Sequence, residues 1–224
     1  MQERPAVAPD PLAGFRYAFV APAAADGGDP GYALLLLHGT GGDENDLLPL
    51  GAMLAPGAAL VSPRGRVLEA GMPRFFRRVR EGVFDVEDLK ARAAELAAFI
   101  AEAKRKHGLE ERALIAVGFS NGANIAGGLL LAHPGAVQGA VLLRPMVPYA
   151  PETPPSLAGV PVLIAAGDHD PFGTPEEIAR LGAILESGGA HVTVQRERAG
   201  HNLTMDDVEA AREWLRREIR KGTK

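Results

Sequence analysis

The sequence predicts an α/β fold, with a mostly parallel central sheet and helices on both of its faces. One observation is a set of short, continuous apolar runs, the pattern of strands that are buried on both faces. The other is that segments with helical signals lie between these runs, so that strands and helices alternate. The predicted core strands are residues 32–37, 58–62, 113–117, 137–143, 160–166 and 191–195. In such a sheet, sites form at the carboxyl ends of the strands.

Composition limits the classes of protein to which the chain can belong. Its 224 residues, 46% hydrophobic and 23% charged, suffice for one globular domain over residues 1–224. The net charge of −4 argues against nucleic-acid binding, because a surface that follows phosphates carries a basic excess. No apolar run reaches the length of a membrane span, so membrane insertion is not expected. Cysteine is absent, which excludes disulfides, thiolate metal sites and cysteine nucleophiles.

The N-terminal region predicts an edge of the sheet. Residues 1–14 are rich in Pro and Ala and lack the apolar core of a signal peptide. We therefore expect them to form a poorly ordered segment of a cytoplasmic protein. Residues 15–20 have a strand-like pattern and residues 21–30 are rich in turn residues, which together predict an edge hairpin. Residues 46–54 predict a short helix.

The segment 64–84 shows no clear periodicity, and we interpret it as a long functional loop. Four arginines crowd into it: Arg74, Arg77, Arg78 and Arg80. They could attract an acidic group of a substrate, or they could belong to a solvated charged loop. The sequence favours the solvated loop.

The predicted helices carry recognisable end signals. Asp85 is placed to cap an amphipathic helix that Gly108 ends. Thr204 and Asp207 approximate a capping box at the start of the last helix, residues 204–220. The other predicted helices are residues 123–132 and 175–185.

A turn around Ser120 is the first candidate for chemistry. Gly118 and Gly122 flank it in the pattern G-x-S-x-G, between a predicted strand and a predicted helix. This pattern lets the backbone bend sharply, so that the serine hydroxyl projects at the end of the sheet. The alternative is an ordinary glycine-rich turn with a surface serine.

A serine nucleophile needs a base within hydrogen-bond reach and a carboxylate that orients the base. His201 follows the last predicted strand, and we take it as the base. Asp168 and Asp170 both follow the strand before it, and periodicity does not separate these two carboxylates. All three lie in loops at the same end of the predicted sheet as Ser120. The chain order Ser, Asp, His is that of the α/β-hydrolases.

An acyl-transfer site also needs backbone N–H donors for the oxyanion of the tetrahedral intermediate. We expect these donors to be the amides of Asn121, directly after the serine, and of Thr40 in the glycine-rich loop after the first core strand. That loop, residues 38–44, lacks the G-K-[ST] and G-x-G-x-x-G patterns, so nucleotide binding is not expected.

The motifs together resemble those of a known family. They are Leu37-His38-Gly39-Thr40-Gly41-Gly42, Gly118-Phe119-Ser120-Asn121-Gly122, Gly167-Asp168-His169-Asp170-Pro171 and Gly200-His201. They resemble the carboxylesterase/phospholipase family of α/β-hydrolases, which includes small bacterial carboxylesterases and acyl-protein thioesterases. The resemblance covers residues 34–215, and residues 144–148 and 200–204 look most similar to hydroquinone-associated hydrolases of the MhqD type.

The resemblance implies an α/β-hydrolase fold without a large lid domain. It also implies that Asp170, the aspartate directly before proline, is the catalytic carboxylate and that Asp168 supports the loop. Asn121 departs from the glutamine that is frequent in the family, but a backbone amide performs the expected role. No metal or organic cofactor is implied, and the implied partner is a small-molecule ester, with a homodimer as a possible assembly.

Residues 144–159 form a loop rather than a helical lid, so we expect an open pocket for esters of short or medium acyl chain. We expect its apolar wall to include Phe75, Phe76, Met146, Pro148 and Tyr149, although each could instead belong to ordinary packing. Acyl thioesters and lysophospholipids are alternative substrates for the same residues. A ligand-binding protein that keeps the fold without activity is the non-enzymatic alternative.

Overall fold

A seven-stranded sheet forms the centre of the protein, in a computed structural model that describes residue 12, residues 14–23 and residues 30–219. Its strands are β1 (Tyr17–Val20), β2 (Tyr32–Leu37), β3 (Ala59–Pro63), β8 (Ala113–Phe119), β9 (Gly139–Leu143), β10 (Pro161–Gly167) and β11 (His191–Glu197). The strand order is β1-β3-β2-β8-β9-β10-β11, and every pairing is parallel except that between β1 and β3. The predicted parallel α/β architecture is confirmed.

Helices cover both faces of this sheet. They are α1 (Leu48–Leu54), α2 (Val86–His107), α3 (Asn121–Ala132), α4 (Pro175–Ser187) and α5 (Met205–Glu218). Asp85 caps α2 by accepting a hydrogen bond from the Asp88 amide, and Gly108 ends it at a φ of 65°. Thr204 and Asp207 form a complete capping box at the start of α5. The predicted helix signals are therefore confirmed.

The sheet separates two hydrophobic layers, because successive side chains of a strand point to opposite faces. On one face, Leu35 and Leu37 of β2 pack in a cluster with residues of α2, α3 and α4. On the other face, Leu34 and Leu36 pack in a cluster with residues of α1 and α5. All four leucines are completely buried, as a central parallel strand requires.

Two predictions in the first half of the chain were wrong. The strand β1 lies at the sheet edge as expected, but it forms no hairpin with β2. It pairs with β3 instead, in a register that sets Tyr17 opposite Pro63. The physical reason is that β2 already has a neighbour on each side, β3 and β8.

The segment 64–84 is not an irregular loop, since it folds into two small antiparallel hairpins. They comprise β4 (Val67–Glu69) with β5 (Met72–Arg74), and β6 (Arg78–Arg80) with β7 (Val83–Phe84). Tight turns close both hairpins. Ala70 and Gly71 in the first turn have φ of 50° and 79°, and Gly82 in the second has φ of 72°. Positive φ at two successive residues is typical of a two-residue hairpin turn.

The connection from β9 to β10 contains no helix, so the expected absence of a large lid domain agrees with the structure. The expectation of a poorly ordered segment at residues 1–14 falls outside the described residues, apart from residues 12 and 14. Within the described part of the chain, no helix combines the length and the apolar character that crossing a membrane requires.

Candidate active site

Ser120 lies at the sharp turn between β8 and α3. Its φ and ψ are 52° and −111°, a sparsely populated region for a residue other than glycine. The flanking glycines make the turn sterically feasible. A Cβ on Gly118 would lie 2.3 Å from the carbonyl oxygen of Gly122, and a Cβ on Gly122 would lie 1.8 Å from that of Leu37. Both glycines therefore allow a close approach of backbone segments that a side chain would prevent.

His201 connects Ser120 with Asp170 through two hydrogen bonds. Its Nε2 lies 2.8 Å from Ser120 Oγ, and its Nδ1 lies 2.8 Å from Asp170 Oδ2. Because an ionised carboxylate accepts hydrogen bonds and cannot donate them, Nδ1 carries the proton in neutral imidazole and Nε2 accepts from the serine hydroxyl. Asp170 is buried, and its other oxygen accepts from the Phe172 amide at 3.0 Å.

Asp168 occupies a different position, although it lies only two residues away. It forms an ion pair with Arg196 at 2.8 Å, in which both side chains are more than one-third exposed. The turn after β10 explains the difference. The Asp170 amide donates to the Gly167 carbonyl oxygen at 3.1 Å, which turns one carboxylate inwards and leaves the other at the surface.

Arg144 holds the loop that carries His201, a role that the sequence did not indicate. It directly follows β9, is buried and has a φ of 55°. Its guanidinium donates to the carbonyl oxygens on either side of the histidine, those of Gly200 at 3.0 Å and Asn202 at 3.2 Å. The same group forms a double hydrogen bond with Asp207, at 2.8 and 2.5 Å. Arg144 therefore positions the His201 side chain through the backbone of the loop that carries it.

His38 braces the glycine-rich loop after β2. Its Nε2 accepts from the Gly65 amide at 2.9 Å, so Nδ1 carries the proton and donates to the Gly39 carbonyl oxygen at 2.6 Å. Burial lowers the pKa of His38, because desolvation disfavours the imidazolium. The neutral form is the one that this pair of hydrogen bonds needs.

Thr40 and Asn121, the expected oxyanion donors, both line a cavity that also contains Ser120 and His201. Their side chains serve the surrounding structure. Thr40 Oγ1 accepts from Arg74 Nη1 at 2.6 Å, and Asn121 Oδ1 accepts from the Phe75 amide at 2.7 Å. These contacts occupy the side chains only, and donation from the two backbone amides to an oxyanion stays a prediction.

The cavity has a volume of about 260 Å³ and combines apolar and charged walls. Its apolar lining consists of Phe84, Phe119, Met146 and Phe172. Phe119 and Phe172 pack against His201, with ring centroids 5.4 and 5.1 Å from the imidazole. Its other polar lining includes Arg74, Arg78, Glu81 and Asn124. Within the described residues, no group of three or more His, Cys, Asp or Glu side chains is arranged to hold a metal ion.

The expected apolar wall needs correction, since Met146 alone of its five predicted members lines the cavity. Phe75 and Phe76 are buried in the core, where Phe75 packs against His38 and Phe76 against Phe84. Pro148 and Tyr149 are also absent from the lining. Pro148 lies over Gly127 of α3, and Tyr149 packs on the core cluster. Ordinary packing, the alternative for each, applies to these four.

The aromatic residues that do line the cavity carried weak sequence signals. Phe119 is the first of the two variable residues within G-x-S-x-G, and Phe172 follows the aspartate loop. Both could have been found by asking which side chains flank the motif residues. Met146 is held in place because its amide donates to Asn124 Oδ1 at 2.8 Å, a contact between residues 22 positions apart that no local pattern reveals.

The arginine cluster divides into two pairs. Arg74 is buried and lines the cavity together with Arg78. Arg77 instead pairs with Asp85 at 3.1 Å, and Arg80 is exposed. The interpretation as a solvated charged loop was therefore wrong for Arg74, because the two hairpins fold it against the glycine-rich loop.

Comparison with known proteins places the chain among esterases. No protein-family model matches it. It is 50% identical over 186 residues to "Putative hydrolase MhqD" of Bacillus subtilis (strain 168), which covers 83% of this chain and 93% of that protein. The crystal structure of the Bacillus cereus carboxylesterase matches with a TM-score of 0.84 at 44% identity, over 92% of this chain and 95% of that one. The structure of YahD with malic acid matches with a TM-score of 0.83 at 30% identity, over 91% and 99% of the two chains.

The sequence identities of 50% and 44% extend over most of each protein, so the likeness includes the sequence as well as the fold. In this chain, Ser120, His201 and Asp170 are joined by hydrogen bonds. The protein is an esterase-type hydrolase, and the chain belongs to the carboxylesterase family of α/β-hydrolases.

Proposed function

We propose that the protein hydrolyses carboxylic esters of short to medium acyl chain by a serine mechanism with an acyl-enzyme intermediate. The observation that carries this proposal is the continuous hydrogen-bonded chain from Ser120 through His201 to the buried Asp170. A serine hydroxyl is a weak nucleophile by itself, and an adjacent base oriented by a carboxylate activates it. The three side chains have this relation in the structure.

In the first half of the reaction, Ser120 Oγ attacks the ester carbonyl carbon while His201 Nε2 takes the hydroxyl proton. The buried Asp170 holds the imidazole in the required tautomer and stabilises the imidazolium that forms. Collapse of the tetrahedral intermediate breaks the bond to the alcohol, which leaves with the proton from Nε2. In the second half, water repeats the attack on the acyl-enzyme, the acid is released and the serine regains its proton.

The backbone amides of Thr40 and Asn121 are the proposed donors to the oxyanion. The Asn121 amide lies at the N-terminus of α3, where the helix dipole favours negative charge. Thr40 belongs to the loop that His38 braces against Gly65. Fixed donors stabilise developing charge without reorganising during the reaction, and the loss of one typically costs about 10²–10³ in kcat.

Cavity size supports small substrates. About 260 Å³ of space next to Ser120, lined by four apolar side chains, accommodates a short or medium acyl group. Malic acid, which is present in the structure of the relative YahD, adds small hydroxy-acid esters to the substrates worth testing for this chain.

The decisive test combines Ser120→Ala with active-site labelling. A fluorophosphonate probe should modify the wild type at Ser120, as mapped by mass spectrometry, and should not modify the variant. The variant should keep its fold by circular dichroism and lose on the order of 10⁴–10⁶ in kcat towards p-nitrophenyl esters. Labelling of Ser62, Ser156 or Ser187 in place of Ser120, or full activity of the variant, would refute the serine assignment. A parallel series of acyl thioesters and lysophospholipids identifies the preferred acyl donor.

A further inference from the structure

Two arginines from the hairpin segment form one charged wall of the cavity, and ester hydrolysis itself does not require them. Arg74 ends β5 and Arg78 begins β6, and both line the cavity with Ser120. The Arg74 side chain is 5% exposed, and that of Arg78 is 28% exposed. Arg74 Nη1 also donates to Thr40 Oγ1 at 2.6 Å, so its guanidinium lies directly beside the proposed oxyanion loop.

The nearby carboxylates leave this wall short of negative charge. Both arginines share one partner, Glu69, whose oxygens lie 3.3 Å from Arg74 Nε and 2.6 Å from Arg78 Nη2. Glu81 faces the same cavity, but it is exposed to solvent, and the structure shows no ion pair from it to either arginine among the described residues. Arg144, the third arginine in the lining, has its own buried partner in Asp207.

The burial of Arg74 makes a compensating negative charge more important. Desolvation lowers the pKa of Arg74, because a guanidinium loses hydration when it is enclosed. Arginine nevertheless stays protonated in proteins, so the group remains a cation with incomplete compensation. Arg74 already donates to Thr40 Oγ1 and to the Phe76 carbonyl oxygen. An anionic group of a bound molecule would add a charge-assisted hydrogen bond and improve the charge balance, and a carboxylate matches the planar fork of a guanidinium.

We propose that Arg74 and Arg78 bind an anionic group of the substrate, so that the preferred esters carry a free carboxylate close to the scissile bond. This inference rests on the proposed function, since it identifies the substrate class of the same site. The two arginines determine specificity, while the chemistry remains with Ser120 and His201. Small hemiesters of dicarboxylic acids and esters of hydroxy acids belong to this class.

Matched ester pairs test the proposal. Monomethyl glutarate and the corresponding methyl ester of glutaric monoamide have nearly the same shape and differ in charge on the acyl side. The esters 3-acetoxybenzoate and 3-acetoxybenzamide provide the same comparison on the alcohol side. The measured quantity is the ratio of kcat/KM for the anionic ester to that for the neutral one, from NMR or pH-stat assays.

For the wild type we expect this ratio to reach about tenfold or more in at least one pair, because only the anionic ester can accept charge-assisted hydrogen bonds from the two arginines. It should fall towards one in Arg74→Met and Arg78→Met, and it should also fall as salt screens the partly exposed Arg78. Arg80→Met is the matched control, because Arg80 is an exposed arginine of the same segment outside the cavity lining. That variant should keep the wild-type ratio.

Two outcomes would overturn the inference: a wild-type ratio of one or less in both pairs, or equal ratios in Arg78→Met and Arg80→Met. Both outcomes can be distinguished from a failure of the proposed function. If the neutral esters are hydrolysed in a reaction that needs Ser120 but no charge preference appears, only the substrate class is wrong. If the p-nitrophenyl esters and all four of these esters are left intact, or are hydrolysed without Ser120, the proposed serine mechanism fails instead.

Discussion

The substitution Arg144→Met removes a guanidinium that is completely buried, in an ion pair whose carboxylate, that of Asp207, is 1% exposed. It also removes the donors to the carbonyl oxygens of Gly200 and Asn202. Breaking a buried pair from one side leaves an uncompensated charge, which costs about 3–5 kcal/mol of the free energy of unfolding. For a domain of this size, that loss lowers Tm by roughly 6–20 °C.

A double variant makes the prediction specific to charge. Arg144→Met with Asp207→Asn removes both charges and keeps a side-chain oxygen that can cap α5. Urea denaturation should show that the double variant is destabilised by about 1–3 kcal/mol less than the sum of the single variants, since the two groups interact directly. Strictly additive losses would refute the account of Arg144 and Asp207 as a coupled pair.

The same substitution separates positioning from binding. Below its Tm, Arg144→Met should lose kcat with little change in KM, because the loop that carries His201 is no longer tied at both ends. A displacement of about 1 Å in a catalytic group can cost on the order of 10² in rate. Arg196→Met is the control, since it breaks the exposed pair with Asp168 and should change both stability and kcat little. A change in KM with kcat intact would contradict the positioning role.

Other expected outcomes concern residues of the loops around the site. Asp170→Asn should lower kcat by a factor on the order of 10⁴ in p-nitrophenyl ester assays, because the amide no longer fixes the imidazole tautomer. Asp168→Asn should keep a kcat close to that of the wild type. The opposite ranking would contradict the assignment of the catalytic carboxylate. Gly122→Ala should cost about 3 kcal/mol or more in urea denaturation, or prevent folding, since its Cβ would lie 1.8 Å from the Leu37 carbonyl oxygen; wild-type stability would refute this. Because burial lowers the pKa of His38 in the fold below its unfolded value of 6.5, the unfolded chain binds the proton more readily. The stabilisation is thus complete above about pH 6.5 and is lost as pH falls through the folded pKa. In His38→Gln, the loss of stability between about pH 7.5 and 5 should therefore be smaller than in the wild type, and equal losses would show that His38 does not contribute.

Sequence reasoning succeeded where the physical rule is local. Buried strands appear as apolar runs, and helix ends carry caps such as Asp85 and Gly108, so the order of elements could be predicted. The meeting of Ser120 and His201 also follows from local information. Each residue lies in a loop after a parallel strand, and the carboxyl ends of such strands meet at one edge of the sheet.

Long-range contacts account for what the sequence could not predict. Arg144 looks like a surface residue at the end of a strand, and its partner Asp207 lies 63 positions later. Phe75 and Phe76 sit next to Arg74 in the chain, yet the hairpin turns the phenylalanines into the core and the arginine to the cavity. The burial of these residues does not follow the strand period of two or the helix period of 3.6 residues. A short segment of the sequence therefore does not reveal which of them are buried.

Asp207 performs two functions that are usually separate. It completes the capping box of α5 with Thr204, and it receives the guanidinium that holds the histidine loop. Fraying of the first turn of α5 would therefore release that loop, so local opening of a C-terminal helix and loss of catalytic geometry should be one event in hydrogen exchange. The effects of substitutions at Thr204, Asp207 and Arg144 should therefore be coupled: a substitution at one of them should change the stability effect of substitutions at the other two.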